Sequence, residues 1–103
     1  MNLLDFRSKI ISSDSDRVNT DSFFSEEVTM FNILNGSFRT EDIKSIRVDQ
    51  TNRNVSVDIS SEDIAKNAEF NLDKQVVPGS YVPLYRVNVT RDNKTLKFTL
   101  KEI

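Results

Sequence analysis

An α+β domain rich in antiparallel strands is the fold class this sequence predicts, and three observations carry that expectation. The composition leans to strand: two alanines, Ala65 and Ala68, stand against ten valines and seven phenylalanines. Alanine favours helix, whereas β-branched and aromatic residues favour sheet. Two stretches, 43–60 and 84–102, alternate apolar and polar residues at the period of two that a half-buried strand requires. A helix signal lies between them near 60–63. Together these predict five or six antiparallel strands, in one sheet or a two-layer sandwich, with an N-terminal helix and a short helix near 61–68. A length of 103 residues fits a single domain. Its expected parts are a helix over 1–12, a polar loop over 12–22 and a β-rich core over 23–103.

Residues 2–12 read as an amphipathic helix. Leu3, Phe6 and Ile10, with Leu4 and Ile11, fall at helical spacing, and Arg7, Ser8 and Lys9 lie opposite. Asn2 suits the N-cap. This helix is expected to pack on the domain's own core. Residues 12–22, a run of Ser, Asp, Asn and Thr, form a polar loop and a candidate hinge.

Residues 23–40 support two readings. Phe24, Val28, Phe31 and Leu34 fit a helix that stops at Gly36. Asn35-Gly36 also fits a type I′ hairpin turn, which needs positive φ at both central residues. The preferred reading is the hairpin, with Val28 to Leu34 paired against Ser37 to Thr40. Thr29, Phe31 and Ile33 would then line one face, and Met30 and Leu34 the other.

The next hairpin is clearer. Ile46 and Val48 alternate with Lys44, Arg47 and Asp49, and Val55, Val57 and Ile59 alternate with Ser56 and Asp58. A loop at 51–54 sets Val48 opposite Val57 and Ile46 opposite Ile59. The same register sets Arg47 opposite Asp58, a pair of about 0.2–1 kcal/mol. Ser60-Ser61-Glu62-Asp63 then supplies a hydroxyl cap and acids for the positive end of a helix of about two turns. Phe70 and Leu72 resume alternation.

Val77-Pro78-Gly79-Ser80 has turn chemistry. Pro83 marks the strand that begins near Tyr81 as exposed, since proline belongs at an edge or a bulge. The last hairpin joins 84–90 to 95–102 across Arg91-Asp92-Asn93-Lys94. Tyr85, Val87 and Val89 face Leu100, Phe98 and Leu96. The other face carries Arg86, Asn88 and Thr90 against Lys97, Thr99 and Lys101, and this hairpin is expected to leave a rigid, partly exposed edge.

Composition narrows the chemistry. Histidine, cysteine and tryptophan are all absent, which removes imidazole and thiolate metal sites and histidine-dependent nucleophiles. The glycines, Gly36 and Gly79, are both assigned to turns, so no phosphate loop exists. Asp14, Asp16 and Asp21 give the polar loop an oxygen-rich spacing. The calcium-loop pattern fails there, because Asn19 stands where glycine is needed and Ser25 where glutamate is needed. The sixteen acidic residues single out no pair for acid–base work on a glycoside. Net charge is −2 and the pI about 5.1, without the basic excess of a nucleic-acid binder. Neither a signal peptide nor a membrane span is legible. The expected location is therefore the cytoplasm or a virion or particle, and the Asn, Asp, Ile and Lys usage suits an AT-rich bacterium or its phage. Asn35, Asn54, Asn88 and Asn93 head Asn-x-Ser/Thr triplets, a chance product of an asparagine-rich chain.

One local surface stands out. The last hairpin concentrates Arg86, Arg91, Lys94, Lys97 and Lys101, with Asn88 among them and Tyr81 nearby. Such a surface suits an acidic protein, where Tyr and Arg are favoured anchors, more than single-stranded nucleic acid, because Tyr85 is expected to point inward. Carbohydrate binding is disfavoured by the missing tryptophan. The expected function is a non-catalytic protein-interaction or structural module with no cofactor. It would be a subunit of a larger phage or bacterial assembly that self-associates through edge strands, so that its partner includes further copies of itself as a homo-oligomer, or a small inhibitor or adaptor that occupies a host protein.

Overall fold

Residues 25–37 form a helix, not a hairpin. The computed structural model describes residues 3–8, 25–79 and 83–103. The polar loop with its calcium-like spacing, Ile10, Ile11, Phe24 and Tyr81 lie outside the described residues. Helical residues 3–8 (α1) bury Leu3 and Phe6. The following helix, α2 (Ser25–Ser37), opens with Glu26 and Glu27 at its positive end. It buries Met30 and Leu34, with Val28, Phe31 and Ile33 packed half-buried beside them. Phe6 and Phe31 meet edge to face, centroids 5.9 Å apart, tying α1 to α2.

The hairpin expectation for 28–40 is thus corrected. Gly36 has no positive φ, so the Asn35-Gly36 turn is not formed, and Phe38 N–H donates to the Leu34 carbonyl in a helical bond of 3.0 Å. The misreading has a physical cause. Buried Glu27 and Thr29 share the packed side of α2 with Met30 and Leu34, while apolar Val28, Phe31 and Ile33 are only half-buried, so the apolar residues do not fall on one clean helical stripe.

After a 3₁₀ turn over Thr40–Asp42 come β1 (Ile43–Asp49), β2 (Asn54–Ile59), α3 (Glu62–Leu72), β3 (Val76–Pro78), β4 (Leu84–Asp92) and β5 (Thr95–Glu102). The strands make one five-stranded antiparallel sheet in the order β1-β2-β5-β4-β3. It is a single sheet covered on one face by helices, not a sandwich of two sheets. Both α2 and α3 pack on β2 and β5, and α3 also on β4. Beneath them lie Ile46, Val55, Val57, Ile59, Tyr85, Val87, Val89, Leu96, Phe98 and Leu100, all buried.

Both hairpins form, each shifted by two residues from the expected register. In the first, Ile46 faces Val57 and Val48 faces Val55, and a β-bulge between Ile43 and Ser45 absorbs the offset before Ile43 meets Ile59. Arg47 therefore stands opposite Ser56, with Asp58 on the diagonal. In the second, Val87 faces Leu100 and Val89 faces Phe98 across a two-residue turn at Asn93-Lys94. Asn93 takes the positive φ of 56° that such a turn needs. Counting alternation sets the face of each residue but not the loop length, and loop length decides register.

Three further expectations change. The helix after β2 runs to Leu72, so Phe70 and Leu72 belong to α3 and not to a strand. Ser61 stands at its N-cap with no side-chain capping bond. Of the expected Val77–Ser80 turn, Ser80 lies outside the described residues, Pro78 ends β3 opposite Leu84, and β4 starts at Leu84. Pro78 is thus the edge-strand proline. Gly79 N–H then reaches the Pro83 carbonyl. A Cβ on Gly79 would come within 2.6 Å of the Tyr85 ring and 2.8 Å of the Pro83 oxygen, so glycine is required there by close approach.

Candidate interaction surface

The alternation that buries one face of the sheet leaves the other without a covering helix among the described residues. Pairings across four strands place Thr90, Lys97, Ser56 and Arg47 in one row, and Asn88, Thr99, Asn54 and Asp49 in the next. Beyond these rows Arg86 stands opposite Lys101. The first row on the other side holds Asp92, Thr95, Asp58 and Ser45.

At the β1 end of this face the charges are satisfied internally. The Asp58 carboxylate accepts from Ser45 Oγ, from Thr95 Oγ1 at 2.7 Å and from Arg47 Nη2 at 3.2 Å. The Ser45 and Thr95 hydroxyls, with Arg47, hold its pKa below the usual carboxylate value against the opposing effect of burial. Asp49 accepts from the Asn52 side chain and backbone at 2.8 and 3.1 Å, which closes the β1–β2 turn and lowers its pKa. Both acids are ionised hydrogen-bond acceptors, the opposite of a carboxyl poised to donate a proton.

At the β4 end Arg86, Lys97 and Lys101 are exposed and enter no ion pair among the described residues, although Lys97 acts on Asp49 from a distance. Next to Arg86 and Lys101 the face turns apolar. Val76 (49% exposed), Leu84 (48%) and Ile103 (66%) stand out to solvent with Pro78. Register explains the cluster: Val76 pairs with Arg86 and Pro78 with Leu84, and Ile103 N–H donates to the Leu84 carbonyl at 3.0 Å.

Four of the seven residues expected in the site, Arg86, Asn88, Lys97 and Lys101, share this face. Arg91 does not. Its partner across the ladder is Leu96, a covered-face position, and its guanidinium reaches Glu69 at 3.2 Å and Glu62 at 3.7 Å on α3. Lys94 occupies the β4–β5 turn, where its carbonyl accepts from Ile59 N–H. Tyr81 lies outside the described residues, and Tyr85 is buried, as its alternation required. Missed by sequence reasoning was the apolar corner. Its signal was present: once Tyr85 and Val87 are placed inward, Leu84 must point outward, and Ile103 follows Lys101 by the same rule.

The last hairpin is not an exposed edge. β5 is central and β4 is flanked by β3. Where β3 ends, the chain leaving α3 takes over: Lys74 N–H donates to the Val87 carbonyl, Val87 N–H to Gln75, and Val89 N–H to the Asp73 carboxylate at 3.0 Å. The lateral edge at β1 carries the bulge and exposed Lys44 and Arg47, devices that discourage strand addition. Among the described residues no three carboxylates converge on one point, and no helix is long and apolar enough to cross a membrane. The chain matches no protein-family model, no curated protein and no solved structure.

Proposed function

We propose that this chain is a non-catalytic protein-interaction module that presents the open face of its sheet to an acidic protein surface. One observation carries the reading. Arg86, Lys97 and Lys101 stand free of ion pairs among the described residues, beside the apolar corner of Val76, Pro78, Leu84 and Ile103. Apolar contact surface bordered by cations is what a specific interface with an acidic partner needs, because the apolar part supplies burial and the rim supplies steering and orientation. The buried state of Tyr85 removes a stacking platform for single-stranded nucleic acid and favours protein over it. The bulged, lysine-bearing β1 edge and the three-residue, proline-ended β3 edge both favour binding by face over binding by strand addition. This reading covers both a subunit docked within a larger assembly and an inhibitor seated on a host protein.

The test is a photo-crosslinking amino acid at Thr90, with Glu41 in the 3₁₀ turn as control, in cells that make the chain. Discrete protein adducts are expected from Thr90 alone, and they should vanish when Arg86, Lys97 and Lys101 are reversed to Glu. Equal adducts from both positions, or adducts to nucleic acid, would overturn the reading.

A further inference from the structure

On α3 a knob and a hole lie side by side. Phe70 is 86% exposed, on a helix whose other side buries Ala65, Ala68 and Leu72. Beside it, between α3 and the C-terminal end of α2, is a groove of about 430 Å³ whose lining includes Phe38, Ile64, Asn67, Ala68, Asn71 and Leu72. Asn67 belongs to the groove wall and, three residues before Phe70, also flanks that ring. The groove has an apolar floor, an amide rim and no charged residue in its lining, so an aromatic ring can enter it without desolvating an ion.

We propose that α3 is the seam of a homodimer in which Phe70 of each copy seats in the groove of the other. A projecting group and a recess close together on one element are the requirement of a closed two-fold interface, where each contact occurs twice. Charge points to a second copy as the occupant. A two-fold axis between Asn67 and Phe70 sets the two α3 helices antiparallel and brings Asp63, in the first turn of one copy, towards Lys74, two residues past the end of α3 in the other, in both directions. Asp63 and Lys74 are exposed, and neither enters an ion pair among the described residues. The seam lies on the helical side of the domain, away from the open sheet face. It stands whether or not the acidic-partner reading holds, and its failure would leave that reading untouched.

The seam is short. Eleven helical residues span about 16 Å, so the area falls below that of standard interfaces and the dissociation constant is expected at about 10–100 µM. Sedimentation equilibrium of the full chain between micromolar and millimolar concentration tests it. The apparent mass should rise from the 11.8 kDa of one chain towards that of a dimer. Phe70→Asp should weaken the dimer at least about tenfold and leave the thermal midpoint of unfolding unchanged, since the ring touches no core. Asp63→Lys and Lys74→Asp should each weaken association, and the two together should restore it. Lys74 holds a positive φ of 68°, which aspartate tolerates. A chain that stays monomeric at millimolar concentration, a dimer indifferent to Phe70→Asp, or a charge swap that fails to restore association would overturn the proposal.

Discussion

On β5, Leu96, Phe98 and Leu100 point into the helices, while Lys97, Thr99 and Lys101 between them face solvent. The same comparison runs across the whole sheet. The covered face holds packed apolar side chains under α2 and α3. The open face holds hydroxyls, amides and charges, with one apolar corner. Strand geometry makes both from alternate residues of one chain, so a substitution two positions along stays on its face and a substitution one position along changes it. The covered face decides whether the protein folds. The open face is close to neutral for folding and is therefore free to carry recognition.

Phe98→Ala tests the covered face with the largest expected effect. The ring is 1% exposed at the centre of the central strand, and its loss should cost about 3–5 kcal/mol in denaturant unfolding. A cost below about 1 kcal/mol would break the contrast between the faces. Gly79→Ala should follow at about 1–3 kcal/mol, because the added methyl must displace the buried Tyr85 ring or the Pro83 carbonyl.

Asp58→Asn probes the one structural knot on the open face and should cost about 1–2 kcal/mol at neutral pH, modest because the site is partly solvated. Its sign with pH follows from the depressed carboxyl. A lowered folded pKa contributes stability that is complete above the ordinary value of 3.8 and is lost as pH falls through the folded value. Urea midpoints measured down the acid range should therefore show wild type and Asp58→Asn converging below about pH 4.

Gly36→Ala should raise stability by about 0.5–1 kcal/mol, since the site is helical and open around the missing Cβ. A hairpin turn there would give the opposite sign. Smallest of all, reversing Arg86, Lys97 and Lys101 one at a time should each move stability by less than about 0.5 kcal/mol, measured by thermal melting, while the three reversals together abolish the crosslinked adducts.

Much of the sheet was legible from alternation alone. Tyr85, Val87, Val89, Leu96, Phe98 and Leu100 were all placed inward, and Arg86, Asn88, Lys97 and Lys101 outward, as the structure has them. What was not legible depends on long-range contact. Register needed the Asn93-Lys94 turn and the Ile43–Ser45 bulge, neither of which alternation encodes. Arg91 follows the alternation inward and is only 22% exposed, because Glu62 and Glu69 arrive from a helix 22 and more residues earlier and hold its guanidinium. The length of α3 was misjudged because Phe70 occupies a solvent-facing helical position where a polar residue was expected. The edge of β4 was misassigned because its cover is a three-residue strand, β3, followed by an aspartate and two backbone groups of a loop, too short a pattern to read as a strand.

That cover has a consequence for how the protein behaves when concentrated. With the three-residue, proline-ended β3 and then Asp73 on one flank and a kinked, lysine-bearing strand on the other, neither flank offers a long straight template for growth at the 4.7–4.8 Å spacing of a fibril. Neutralising Asp73 would leave the Val89 N–H without its acceptor while β3, Lys74 and Gln75 still cover their part of β4, so Asp73→Ala is expected to raise self-association of the concentrated protein through that one position, read as light scattering over time against wild type.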